Sequence, residues 1–360
     1  MVNRMIVNNT IDKFYRAKKI LVTGHTGFIG SWLSKWLILL KSNVCGYALG
    51  PPTVPSLFET LTLRNSMVDK GGDIRNTKLL RKTLREFNPE IVFHLAAQPI
   101  VLDSYDNPVE TFDTNVTGTV NLLNELRQVE SVKTIIVMTS DKSYRNNEWP
   151  YPYRENDELG GKDPYSASKS CQDIVVSSFR ESFFLDNEVG VSSVRAGNVI
   201  GGGDWGKHRI IPDIVRAINS NNTVKLRNPN SVRPWQFVLE PIYGMLLLAK
   251  DMYENPKFSG AWNFGPESKA ARTVVSLTEN FIKYYGTGKY EIQETSNFNE
   301  SGYLQIDISK AKKELGWLPR YDLEESLRKT SDWYKSYYAS EEMDKFTENQ
   351  INEYLTAERK

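Results

Sequence analysis

The sequence predicts an α/β fold: a Rossmann-like, doubly wound parallel sheet, with a smaller mixed α/β substrate region towards the C-terminus. Three observations carry that expectation. Short β-branched runs alternate with helical patterns along the first half of the chain. Those runs are apolar throughout instead of alternating with polar residues, as strands covered on both faces are. A glycine-rich turn joins the first run to the first helical pattern.

The elements follow in order. "KILVT" (Lys19–Thr23) is the first strand, and a helix starts near Phe28. The stretch from Ile20 to Leu40 is the one place where the chain resembles a membrane span, but Gly24, Gly27, Gly30, His25 and Lys35 interrupt it. It reads as strand, turn and buried helix. "NVCGYA" (Asn43–Ala48) is the second strand, and a helix follows Asn76 and Thr77. "EIVFHLA" (Glu90–Ala96) comes next, then a helix after Pro108, a residue suited to a first turn. "KTIIVMTS" (Lys133–Ser140) and "GVSSVRA" (Gly190–Ala196) complete the strands. Regularity fades after Asn198, where "GNVIGGGDWGKH" reads as a glycine-rich loop. The division expected is a dinucleotide-binding domain over residues 15–197, with interleaved segments near 236–266. Residues 198–340 form most of the substrate-binding region, and 341–360 a polar tail, either a solvated helix or a frayed end.

Composition excludes several classes. Of 360 residues, 40% are hydrophobic, enough to build a core, so global disorder is not expected. Lysine and arginine total 45 against 44 acidic residues, a balance that provides no general field for nucleic acid or anionic membrane. Two cysteines, Cys45 and Cys171, make no disulfide framework and fit a reducing compartment. No secretory signal is visible at the start. A soluble, cytoplasmic enzyme without a metal site is the expectation.

"VTGHTGFIG" places Gly24, Gly27 and Gly30 between a strand and a helix, with Thr26, Phe28 and Ile29 on the same turn. Glycine lets the backbone turn tightly and approach a pyrophosphate, and the helix amino terminus supplies N–H groups and a positive dipole end. The usual acid about 20 residues on, which holds an adenosine ribose, is missing. The second strand ends in "GYALGPP", with neither an acid nor an arginine for a 2′-phosphate.

"YSASK" puts Tyr165 and Lys169 four apart on one helical face. An ammonium nearby favours phenolate and would lower the tyrosine towards a working acid/base. The same spacing recurs at Tyr15/Lys19, Tyr253/Lys257 and Tyr285/Lys289, so it means little alone. Only Tyr165 follows a strand-ending serine, Ser140, with the glycine turn upstream. Tyr165, Lys169 and Ser140 can oxidise a sugar hydroxyl, a step that needs neither Asp141 nor Lys142. That pair makes sense if an elimination follows, with a base taking the proton beside a new ketone and an acid expelling water. A solvated turn after a strand is the other reading. A lysine base must be neutral, which needs desolvation or a neighbouring cation.

The G-x-x-G-x-x-G spacing resembles that of the extended short-chain dehydrogenase/reductase superfamily. In that superfamily Asp73 and Ile74 of "GGDIRN" would flank adenine, and Ala96, Ala97 and Gln98 of "HLAAQ" would run along the cofactor. Asn115 of "TNVTGT" would support the active site. Further segments, "TSDKSY", "DPYSASK", "VRAGNVIGGGDW" and "NPNSVRPWQFVLEP" among them, make the chain similar to the CDP-glucose 4,6-dehydratases of the sugar-nucleotide dehydratase branch. The resemblance covers residues 15–335. It implies NAD as cofactor, a nucleotide-sugar substrate with CDP-glucose favoured, and a homodimer. Tyr165 would drive oxidation at C4, with Lys169 tuning it. Asp141 would be the acid towards the C6 hydroxyl and Lys142 the base at C5. Asn198 and Val199 would face the nucleotide sugar, Arg209 and Arg233 would hold the diphosphate, and Tyr303 of "SGYL" would touch substrate. The product would feed deoxysugar synthesis. Ile29 stands where the family tends to have lysine, and Leu102 and Asp103 stand where it tends to have an arginine. Other nucleotide sugars, a sugar-nucleotide 4-epimerase and a non-catalytic NAD-binding sensor are the alternatives.

Overall fold

A computed structural model of the chain describes residues 11–267, 272–293 and 303–357. Seven strands form its central sheet: β1 (Lys19–Thr23), β2 (Asn43–Ala48), β3 (Val68–Gly71), β4 (Ile91–His94), β5 (Thr134–Met138), β6 (Gly190–Arg195) and β7 (Gly260–Asn263). Their order is β7-β6-β5-β4-β1-β2-β3, and every neighbouring pair is parallel. The chain therefore builds outward from β1 to β3, then returns to place β4 on the opposite side of β1. That reversal opens a crevice above the carboxyl ends of β1 and β4, where open α/β sheets bind ligands.

Seven helices matter for the site: α1 (Phe28–Leu39), α2 (Thr77–Phe87), α3 (Gly118–Leu126), α4 (Pro164–Phe179), α5 (Leu239–Glu254), α6 (Leu323–Tyr338) and α7 (Met343–Thr356). Alternate strand residues feed two separate cores, as the two-residue strand period requires. Ile20, Val22 and Phe93 pack on one face with Trp32 and Trp36 of α1 and with α5. Leu21, Val92 and Ile135 pack on the other with Leu80 and Leu84 of α2 and Leu122 of α3. Each such side chain, fully buried, contributes about 1.5–3 kcal/mol, so the sheet is held from both sides. Among the described residues no helix is long and apolar enough to cross a membrane.

Two strands of the central sheet were not expected as strands, although residues 261–266 were expected to interleave with the sheet domain. β3, "VDKG", is an edge strand with Val68 exposed, so it lacks the apolar run that marked its neighbours. β7 pairs with β6 although a long segment separates them, and its four residues carry only one large apolar side chain facing inward, Trp262.

Of the two readings of residues 341–360, solvated helix or frayed end, the structure has the helix, α7, but packed against the core on one face. Met343, Ile351 and Tyr354 recur on one face among charged neighbours and are buried. Tyr354 donates to Glu240 Oε2 at 2.6 Å, and Lys35 pairs with Asp344 at 2.7 Å. A composition dominated by Glu, Lys and Asn hid the narrow apolar stripe that carries this contact.

Candidate active site

A cleft of about 860 Å3 runs across the carboxyl ends of the strands, within the usual size range for ligand sites. The glycine turn forms one wall. Gly24 has φ +74°, and a Cβ there would lie 2.6 Å from Ala96 N. At Gly30 a Cβ would meet Gly24 O at 2.1 Å, so α1 can approach the turn only without a side chain. No side chain caps the start of α1 and no acid stands in its first turn, which leaves the helix end receptive to an anion. This cradle fits a dinucleotide pyrophosphate.

Thr26, Phe28, Ile29, Asp73, Ile74, Ala96, Ala97 and Gln98 all line the same cleft. Asp73 is engaged with Arg75, which donates to it through the backbone and the guanidinium; these bonds hold its carboxyl below the usual range. Asn115 lies behind the wall, fully buried in a π-helical turn, Asp113–Thr117. Its Oδ1 accepts from Gln98 N at 2.8 Å, and its Nδ2 donates to Gln98 O and to Ser168 Oγ. The wider turn is the kind of local distortion that recurs at functional sites.

Ser140, Asp141, Lys142, Tyr165 and Lys169 converge on the middle of the cleft. Ser140 ends the β5 segment as the cap of a short 3₁₀ turn, Asp141–Ser143, and its Oγ accepts from Lys142 N at 3.1 Å. Asp141 is 2% exposed, so it is not a solvated turn residue. Burial pushes its carboxyl up, against the charges of Lys142 and Arg233 and the hydroxyl of Ser140. A raised carboxyl keeps its proton to a higher pH than an ordinary one does, the direction that favours proton donation. Lys142 lines the cleft beside it, partly buried.

Tyr165 sits in the first turn of α4, where Pro164 starts the helix and Asp163 caps it by accepting from Ser166 N. Burial pushes the phenol up to about 12, with the Ser140 hydrogen bond and the Arg209 charge pulling it back. The expected lowering by Lys169 is absent. Lys169 Nζ donates instead to Gln172 Oε1 at 2.8 Å and to Met138 O at 3.3 Å, and burial drops it to about 7. Gln172 in turn donates to Thr119, which meets the buried, neutral His94. The lysine is thus oriented by a chain of hydrogen bonds running back to β4, towards Gln172 and Met138.

Asn198, Val199, Arg209 and Arg233 line the same cleft, and Asn198 Nδ2 donates to Asp141 Oδ2 at 3.3 Å. Arg209 pairs with Asp204 at 3.0 Å, and Arg233 is 7% exposed. Lys207, Lys225 and Arg227 also line the cleft and were not singled out by sequence, because isolated cations look like ordinary surface. Leu102 and Asp103, like Ile29, lie on the cleft wall. Tyr303 does not reach the cleft. Its carbonyl accepts from Asn146 Nδ2 at 2.9 Å, and its segment is stitched to the 146–153 loop through Tyr153 N and Gln305 O.

One position missed by sequence reasoning stands directly behind the acid. A Cβ at Gly197 would fall 1.8 Å from Asp141 Oδ2. The glycine within "RAGNV" was the available signal.

The sequence profile of the family described as GDP-mannose 4,6 dehydratase matches residues 21–330. The chain is 48% identical over 355 residues to a CDP-glucose 4,6-dehydratase of Salmonella typhimurium, covering 96% of this chain and 99% of that one. Among solved structures it is similar to a dTDP-glucose 4,6-dehydratase of Bacillus anthracis in complex with NAD, with TM-score 0.76 and 22% identity over 90% of this chain and 99% of that one. A dTDP-glucose 4,6-dehydratase of Streptomyces venezuelae gives TM-score 0.78 at 22% identity, over 89% and 98%. At those identities the two structures speak to the shared fold.

Proposed function

Because this chain belongs to the GDP-mannose 4,6 dehydratase family, we propose that it converts CDP-D-glucose to CDP-4-dehydro-6-deoxy-D-glucose and water. The 48% identity to the Salmonella typhimurium CDP-glucose enzyme, end to end, supports that choice of substrate. The single structural observation that carries the reading is the convergence of Asp141 and Lys142 with Tyr165 on one cleft. An oxidation alone uses the tyrosine; a carboxyl and an amine beside it supply the two proton transfers of an elimination.

NAD would lie along the Gly24–Gly30 turn and the Ala96–Gln98 wall, and when bound it supplies hydride acceptance at C4 and hydride return at C6. Tyr165 takes the C4 hydroxyl proton, with Ser140 at its side. Lys142 takes the C5 proton, acidified by the adjacent ketone, and gives a proton back to C5 when hydride is returned at C6. Asp141 gives its proton to the departing C6 hydroxyl, so that water leaves and the charges balance. Arg209 and Arg233 hold the diphosphate, since a guanidinium fork suits phosphate oxygens. A homodimer is part of the same reading.

The test is a panel of CDP-, dTDP-, GDP- and UDP-glucose incubated with enzyme and NAD, with product mass checked for loss of water. Water loss from CDP-glucose at the highest kcat/KM is the expected result. Inversion at C4 without water loss would replace the dehydratase reading with an epimerase.

A further inference from the structure

The turn that follows β6 is shaped around Asp141. Gly197 has no room for a Cβ, because Asp141 Oδ2 occupies that space at 1.8 Å. The next residue, Asn198, takes the left-handed region with φ +47°, and its Nδ2 donates to Asp141 Oδ2 at 3.3 Å. Two residues thus press on the carboxyl from the side opposite its own strand. Something must hold them there, since a left-handed non-glycine residue costs free energy unless its surroundings fix it.

Gln236 is placed to do so. It is 2% exposed and sits where a short strand, Gln236–Phe237, pairs with Val199–Ile200. Its backbone N–H donates to Asn198 O at 3.2 Å. Its side-chain Nε2 donates to Gly197 O at 3.1 Å and to Phe264 O at 2.9 Å. Phe264 N itself donates to Arg195 O at 3.0 Å, so one amide ties the end of β6 to the end of β7. Gln236 lies outside the cleft lining and can touch neither substrate nor cofactor. A buried glutamine could have been an apolar residue at no cost in volume. Here its amide meets one carbonyl of the turn that abuts Asp141, Gly197 O, and one at the end of β7, Phe264 O, while its backbone N–H meets Asn198 O.

We propose that Gln236 is a positioning residue: it clamps the Gly197–Asn198 turn and thereby fixes the carboxyl of Asp141 for protonation of the leaving hydroxyl. The inference rests on the dehydratase reading above. Removing the clamp should free the carboxyl of Asp141 on the side of the Gly197–Asn198 turn, while the backbone of the 3₁₀ turn that carries Ser140 and Lys142, and Tyr165 on α4, stay in place. Displacement of about 1 Å at a reacting group can cost about 100-fold in rate.

The variant is Gln236→Leu, similar in size but without the amide, with Gln236→Met as the second if the first folds poorly. Two half-reactions are read on purified enzyme with NAD and CDP-glucose. Oxidation at C4 is followed as the single-turnover rise of reduced nicotinamide absorbance, and elimination as water loss by product mass. Proton removal at C5 is followed by solvent deuterium incorporation. The expected result is water loss slowed about 100-fold, with oxidation and C5 exchange near wild type and reduced cofactor accumulating on the enzyme. Gly197→Ala should give the same split. Equal loss of both half-reactions would assign Gln236 a purely structural role and overturn the inference, as would full water loss in Gln236→Leu. Wild-type enzyme that releases no water from any nucleotide sugar would instead overturn the dehydratase reading, and this inference with it.

Discussion

The chemistry of the cleft comes down to how deeply three side chains are buried. Asp141 and Tyr165 are driven towards their protonated forms by desolvation, and Lys169 towards its neutral form. All three shifts point away from charge: that of Asp141 suits a proton donor, while that of Tyr165 runs against the phenolate that oxidation at C4 uses. Lys142 differs: it is partly exposed to the cleft and stands next to the acid. Lys142→Ala is expected to leave oxidation at C4 within a few-fold of wild type while water loss falls by about 100- to 10,000-fold. Reduced nicotinamide would then build up in single-turnover absorbance. Unchanged dehydration would remove Lys142 from the role of base. At this scale the sequence was informative about identity and uninformative about environment. "TSDKSY" and "YSASK" named the residues, but nothing in them tells that Lys169 turns towards Gln172 and Met138.

At the scale of elements, legibility followed burial. β1, β2 and β6 are buried along almost their whole length and were readable to within a residue at their ends. β3 sits at an edge, half wet, and carries no pattern to read. α7 hides a narrow stripe in a charged sequence, so a helix that seals the core looked like a tail. The glycine turn was legible because its geometry allows no substitute at two positions. Gly24→Ala adds a Cβ within 2.6 Å of Ala96 N at a backbone angle of φ +74°. That variant is expected to lose about 1–3 kcal/mol of stability and to bind dinucleotide more weakly, read by thermal melting and by calorimetric titration. Unaltered melting and affinity would mean that the turn relaxes freely. The Gly197–Gln236 clamp was illegible for the opposite reason: its partners lie on three segments that only the folded sheet brings together.

At the scale of the whole molecule, the far end of the chain is locked by a buried carboxylate. Glu240 on α5 accepts from Arg320 N, Tyr321 N and the Tyr354 hydroxyl, and burial pushes it up to about 7 from the ordinary 4.5. The folded protein therefore binds this proton more tightly than the unfolded chain does. Between about pH 4.5 and about pH 7 the folded state holds the extra proton, so this group makes stability fall as pH rises across that window. Glu240→Gln, which keeps an acceptor for the two N–H groups and carries no charge, is expected to flatten that slope in denaturant titrations run across the window. An unchanged slope would place the pH dependence elsewhere.

β7, which joins the sheet only after the long excursion that follows β6, has a consequence for the order in which the protein is made. A ribosome releases the first six strands well before the residues that cover the outer rim of β6. Until then that rim is a bare row of backbone donors and acceptors, open to pairing with any other chain. Translation stalled just short of Gly260 should leave a nascent product that self-associates, whereas product stalled past Phe264 should not. Sedimentation of the two stalled populations would tell them apart.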